Sequence, residues 1–161
     1  MPRAWRICLA RHARDGLHGF SGTGARLHGG RWNSKGVGVG YGSGTLSLAA
    51  LEYLVHADAR LLSTAELVAC SISWPDDLAV ERIGRKRLVA AWRDTPPPAA
   101  LAAIGDRWVA GRQSAILVVP SAIVPSEDNL LVNPDHPDAS RLEGHPPEPF
   151  AYDPRLLRKK G

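Results

Sequence analysis

The chain opens on an alternation of apolar and polar positions. Residues 3–9 place Trp5, Ile7 and Leu9 on one side and Arg6 and Cys8 on the other, the period-two mark of a strand. Arg6 then projects from the face opposite the Trp5 row. Residues 67–74 alternate in the same way, with Val68, Cys70, Ile72 and Trp74 set against Ala69, Ser71 and Ser73, and stop at Pro75. A shorter strand is predicted over 37–41, where alternate glycines leave Val37, Val39 and Tyr41 pointing one way and imply a close approach to the bare side of that backbone. The unbroken apolar run 115–120 reads as a central strand buried on both faces, and 129–133 as another strand.

Two stretches carry helical spacing instead. Ser43 or Thr45 can cap a helix running to about His56, with Leu48, Leu51 and Val55 predicted as its buried stripe and Glu52 beside them. A second helix over 98–110 follows the Pro96-Pro97-Pro98 connector and brings Leu101, Ile104 and Trp108 onto one face. Residues 15–36 and 134–149 read as loops, 78–94 is mixed, and Phe150 with Tyr152 forms a short edge strand before a basic tail over 155–161. Strands and helices interleave irregularly, so the prediction is a single α+β domain over 1–161 with a strongly bent or split sheet.

Composition narrows the class. At 161 residues, 44% hydrophobic and 22% charged, the chain can bury one core, and its sixteen glycines and thirteen prolines argue against a helical bundle. No stretch approaches the roughly 18 apolar residues of a spanning helix, and no export signal is evident, so a cytoplasmic location without membrane attachment is expected. Cys8 and Cys70 form no CxxC pair and read as two buried thiols, and the scattered histidines give no metal-ligand spacing. No metal is expected. Trp92 and Trp108 suit either a homodimer face or the core, and the core is the reading taken. Net charge is +4, but residues 1–51 alone carry +6 and the remainder −2, and sixteen of the twenty cations are arginine. The positive field therefore belongs to the N-terminal third, and a nucleic acid, a nucleotide or an acidic protein would each fit it.

Dinucleotide and phosphate-loop glycine signatures fail at both glycine-rich stretches, and zincin, nucleophile-elbow and kinase signatures are absent. What remains is a set of separated pieces: Gly29-Gly30-Arg31-Trp32-Asn33, then Tyr41 ending a strand, Glu52 on the next helix, and Pro120-Ser121 ending the apolar strand. Glycines admit a ligand close to the backbone, Arg31 offers a fork for phosphate, and Tyr41 offers an aromatic face. Each alone has a plainer reading, as a surface ion pair, a core residue or a turn cap. Glu52 differs, because a carboxylate beside a helix's apolar stripe must be partnered, rim-exposed or functional.

The segments GGRWNSKGVGVGYGSGTLSLAALEYLVH and WVAGRQSAILVVPSAIVPSEDNLLVNPDHP strongly resemble the two halves of the RES domain family, and the resemblance runs from Trp5 to Leu156. It places the family's arginine at Arg31, its glutamate at Glu52 and its serine at Ser121, with Tyr41 as the pocket tyrosine and Arg6 as a further binding arginine. Gly30, Trp32 and Asn33 are expected to line the substrate site beside them. The resemblance implies an ADP-ribosyltransferase-like fold and a bacterial toxin of a type II toxin–antitoxin pair that consumes NAD+ as substrate, with no prosthetic group. It also implies a cognate Xre-like antitoxin that binds DNA through a helix-turn-helix. NAD+ glycohydrolysis or phosphorolysis is the activity expected, with protein ADP-ribosylation as the alternative. A small basic nucleic-acid-binding module is the alternative of another class, and an inactive binding partner keeping only the shape is a third.

Overall fold

The structure is a computed structural model and describes residues 1–157. Its frame is one mixed sheet of seven strands in the order β4-β5-β6-β2-β1-β3-β7. These are β1 (Arg3–Leu9), β2 (Gly40–Ser43), β3 (Leu67–Ser73), β4 (Val80–Arg82), β5 (Ile116–Pro120), β6 (Asp128–Val132) and β7 (Glu143–Phe150). Neighbours run antiparallel except β4 and β5. The four helices are α1 (Thr23–His28), α2 (Leu46–His56), α3 (Ala59–Thr64) and α4 (Ala99–Gly111).

Alternation along the strands sorts the core into layers. One face carries a continuous apolar sheet of Ala4, Cys8, Cys70, Ile72, Ile116, Val118, Leu130 and Val132, covered by Phe20, Trp74 and Leu142. The other face is divided. Leu117, Val119 and Leu131 pack with Trp32, Trp92, Leu101 and Trp108 on one side. Ile7, Leu67 and Ala69 pack with Ala49, Leu62 and Tyr152 on the other. The sheet is split at the same place, because β1 and β2 share a single register pair, Trp5 with Ser43, and then part.

Several local expectations are met. β1, β3, β6 and α4 lie within a residue or two of where the pattern put them, and Trp92 and Trp108 are core residues. Cys8 and Cys70 are buried, with their Sγ atoms 3.5 Å apart in a thiol–thiol hydrogen bond. Thr45 is the cap of α2, its Oγ1 accepting from the Leu48 N–H at 3.1 Å.

Others are corrected. The stripe on α2 is not Leu48, Leu51 and Val55: Leu48 is 1% exposed, but Leu51 and Val55 are 40% and 58% exposed. The helix buries Ala49 with Leu48, and Leu46, Ala50, Tyr53 and Leu54 pack partly buried beside Ala49, a face partly written in alanine. Within 15–36, predicted as loop, Gly22 and Gly29 take left-handed φ values of 71° and 73° at the two ends of α1, so the glycines delimit a helix there. In 37–41 only Gly40 and Tyr41 are paired, and what approaches the bare backbone is the protein itself. A Cβ on Gly38 would meet the Arg26 guanidinium, and one on Gly42 would lie 2.7 Å from the Phe20 ring. The β5 strand is buried on both faces as expected, but it sits one strand from the sheet edge. Residues 143–150 form a strand despite Pro146, Pro147 and Pro149, because β7 is an edge and its register slips between Ala69 and Ser71 of β3. Phe150 closes β7, while Tyr152 lies beyond it and stacks edge-on against Phe150 at 5.0 Å. In the tail Arg155 pairs with Asp153, and Arg158, Lys159 and Lys160 lie outside the described residues.

The reassigned face of α2 gives a stability test. Leu48→Ala should cost about 2–5 kcal/mol as a buried large-to-small change, and Leu51→Ala less than about 1 kcal/mol. Urea unfolding of the two variants checks the difference, and equal costs would return Leu51 to the core.

Candidate active site

A cleft of about 580 Å³ opens where the sheet splits. Its wall draws on β1 (Trp5, Arg6, Ile7), on β2 (Tyr41, Gly42, Ser43), on α2 (Ala49, Glu52, Tyr53, His56), on the Gly29–Trp32 turn and on Asn129 at the start of β6. Cavities of this size suit small organic ligands.

Glu52 is the most constrained group in it. Its Oε1 accepts from the Ser121 hydroxyl at 2.9 Å and from the Asn129 side-chain amide at 2.5 Å. Ser121 is fully buried just past the end of β5, and its oxygen also accepts the Ile123 and Val124 N–H groups at 3.1 Å. Four bonds thus lock one hydroxyl and one carboxylate oxygen. Among the described residues Oε2 has no hydrogen-bonding partner, and Glu52 forms no ion pair.

The two arginines are held alike. Arg31 donates from Nη1 to the carbonyls of Trp92 at 2.7 Å and Asp94 at 3.1 Å. Arg6 reaches across the opening between β1 and β2 and donates from Nη1 to the Tyr41 carbonyl at 2.9 Å. Burial lowers the pKa of each, and for Arg31 the charge of Glu52 is the largest opposing influence. No carboxylate offsets the burial of Arg6, whose neighbours are Cys8, Cys70, Tyr41 and Tyr53, and its Nε is buried without a partner. A buried guanidinium in that condition calls for an anion from outside the chain.

Tyr41 shapes the turn that carries Arg31. Its hydroxyl donates to Asn33 Oδ1 at 2.7 Å and accepts the Trp32 N–H at 3.0 Å. Burial raises its pKa to about 12, so the phenol stays neutral and the ring is what it offers the cleft. Gly30 is required beneath it, since a Cβ there would lie 2.7 Å from the Tyr41 hydroxyl.

Arg6, Gly30, Arg31, Tyr41 and Glu52 therefore converge on one cleft, and Ser121 meets it through Glu52. Trp32 also lines the cleft, as part of its turn, though it is 2% exposed and packs in the core with Leu101 and Trp108. One residue expected at the substrate site is placed differently. Asn33 is 1% exposed, and its amide donates to the carbonyls of Ala25, Ser34 and Val37, so its side chain braces the turn rather than facing a ligand. Three cleft residues escaped the sequence reading: Ser43, Tyr53 and Asn129. Asn129 was within reach, because it stands two positions before Leu131 on one side of a predicted strand. His56 lies on the exposed rim of the wall.

A split mixed sheet with an arginine, a glutamate and a serine brought together at its opening is the arrangement expected of an RES domain. The chain belongs to the RES domain family, which residues 3–153 match. It is similar to a Prs ADP-ribosylating toxin of Sphingobium sp. (strain YBL2), 35% identical over 96% of each chain. It is also similar to a protein named Toxin Res of Yersinia enterocolitica, 40% identical over 94% of this chain and 97% of that one. Among solved structures, a chain of the M. tuberculosis MbcT–MbcA toxin–antitoxin complex shares the fold, with a TM-score of 0.76 at 22% identity over 97% of this chain and 86% of that one.

The tyrosine's bracing role is testable without substrate. Tyr41→Phe leaves the buried Asn33 Oδ1 and the Trp32 N–H unpaired and should cost about 1–3 kcal/mol. Chemical denaturation reads the loss, and an unchanged midpoint would mean the hydroxyl braces nothing.

Proposed function

We propose that this chain is the toxin of a type II toxin–antitoxin pair and that it consumes cytoplasmic NAD+ by breaking the nicotinamide–ribose bond. The observation that carries the reading is the Glu52 carboxylate, fixed through Oε1 with Oε2 open, in the same cleft as two guanidiniums lacking carboxylate partners. The family and the names of its members support the substrate class.

The substrate's chemistry sets three tasks, and residues of the cleft suit each. The diphosphate needs oriented cations: Arg31 holds Nη1 on two backbone carbonyls and leaves its other guanidinium nitrogens for contact with oxyanions, and Arg6, held on the Tyr41 carbonyl, adds positive charge to the same wall. The nicotinamide nucleoside needs an apolar face, which the Tyr41 ring supplies. Bond breaking sends the C–N electron pair to the pyridine nitrogen, so nicotinamide leaves neutral and positive charge develops at the anomeric carbon. Glu52 would stabilise that charge and hold a ribose hydroxyl, as carboxylates do in glycoside cleavage. A neutral leaving group needs no protonation, so His56 is assigned no acid role.

Water or inorganic phosphate then takes the ribosyl cation. The name of the Sphingobium relative favours a second reading, in which a protein side chain is the acceptor. The structural neighbour's origin in a toxin–antitoxin complex supports an antitoxin partner, for which we propose an Xre-like DNA-binding protein. The nucleic-acid module fares worse: Arg6 and Arg31 turn into the cleft and Arg26 pairs with Asp135, so three of the seven N-terminal cations are engaged within the chain.

Nicotinamide release from NAD+, followed with and without phosphate, tests the reaction, and radiolabelled NAD+ separates free ADP-ribose from labelled protein. Glu52→Gln should keep the fold and lose about 10²-fold or more in turnover. Arg31→Ala should raise the KM for NAD+ by about tenfold or more, as loss of a charge-assisted bidentate contact does. Normal kinetics in both variants would remove the proposal.

A further inference from the structure

Asn129, the second residue of β6, is in register with Ser43 of β2 on one side and Val119 of β5 on the other. Its amide nitrogen donates to Glu52 Oε1 at 2.5 Å, and its Oδ1 receives the Ser43 hydroxyl at 2.8 Å. The two ends of an asparagine amide have the same shape, so shape alone cannot orient it. Chemistry does, because an ionised carboxylate only accepts and must therefore meet the N–H end. That leaves Oδ1 for Ser43, whose hydroxyl is obliged to donate. Ser43 is 2% exposed and is also the residue whose pairing with Trp5 marks the last contact before the sheet splits. The chain Ser43–Asn129–Glu52 thus runs from the root of the split to the open carboxylate, and every donor in it has an acceptor.

We infer that Asn129 is a positioning residue for Glu52, held in its donating orientation by Ser43, and that with Ser121 it fixes Oε1 so that Oε2 alone meets the ribosyl centre. The inference rests on the reading of Glu52 as the carboxylate that serves NAD+ cleavage. A carboxylate on a long side chain otherwise rotates between rotamers, and only the fraction with an oxygen correctly placed contributes to the rate. Two donors from different strand ends remove that freedom. Both are neutral, and the amide is polarised by its own partner, so the carboxylate keeps its charge while losing its mobility.

The test is the order of the variants. Initial rates of nicotinamide release across NAD+ concentrations give kcat and KM for wild type, Asn129→Ala, Asn129→Asp, Ser43→Ala and Glu52→Gln. Asn129→Ala should lower kcat about tenfold and Ser43→Ala about threefold, with KM within about threefold of wild type, since positioning through another group acts on turnover. Asn129→Asp should be the slower of the two substitutions at this position, near 10²-fold down by rough estimate, because it turns a donor into a second carboxylate against Oε1. A packing role predicts the reverse, as aspartate keeps the shape and alanine does not. Asn129→Asp at or above Asn129→Ala, an unchanged kcat in Asn129→Ala, or a loss confined to KM would each overturn the inference. Should the Asn129 variants not fold, Ser43→Ala decides: reduced kcat at unchanged KM upholds the relay, and wild-type kcat overturns it. A slow Glu52→Gln beside a normal Asn129→Ala overturns this inference alone, whereas a normal Glu52→Gln overturns the reading it rests on.

Discussion

One carboxylate oxygen joins the two halves of this molecule. The α2 helix packs on β1 and β3, while Ser121 and Asn129 belong to the ends of β5 and β6 on the far side of the split, and they meet at Glu52 Oε1. The apolar cluster under α4 and the one under α2 share no continuous layer on this face, so a polar bond spans what hydrophobic packing leaves open. Placing it at strand ends is no accident of sequence. Inside a sheet each backbone and side-chain direction is already committed, and only where strands stop can a buried hydroxyl gather two backbone N–H groups and still point at a neighbouring helix.

Electrostatics gives the opening its character. Arg6 is desolvated among thiols and tyrosines, and its guanidinium takes the place of strand pairing between β1 and β2 by bonding the Tyr41 carbonyl. A large charged group thus stands where β1 and β2 part, and among the described residues no carboxylate pairs with it. The nearby Cys8 thiol has its pKa lowered, first by its hydrogen bond with Cys70 and then by the charge of Arg6.

Much of this arrangement was legible in the residues. Period-two alternation located β1 and β3, apolar runs located β5 and β6, and the family resemblance marked Arg31, Glu52 and Ser121, of which Glu52 and Ser121 bond and Arg31 lines the same cleft. What escaped has physical causes. On α2, Leu51 and Val55 advertise a face with Leu48 more loudly than Ala49 and Ala50 do, yet both are exposed, while Leu48 and Ala49 are buried and Ala50 packs beside them. Three prolines hid β7, since pattern reading does not know which strand will be an edge. The glycines of 38–42 did signal close approach, but the approaching groups, Arg26 and Phe20, come from a segment predicted to be loop. Asn33 looked like a ligand residue because its neighbours line the cleft, but its side chain bonds back into the turn.

The division of labour between the two oxygens of Glu52 connects these points to the chemistry. A carboxylate that shares both oxygens with protein donors is well placed but blunted, and one that shares neither is strong but mobile. Binding Oε1 twice and leaving Oε2 unbonded by the chain separates placement from reactivity within a single side chain. Arg31 shows the same economy: Nη1 is fixed by two carbonyls of the segment that walls the cleft, and its remaining edge is presented whole. In each case the protein uses backbone or neutral donors and acceptors to orient a charge without neutralising it, so full opposite charges are left for the substrate to bring. That is the condition under which a cation forming at a sugar carbon feels the carboxylate undiminished.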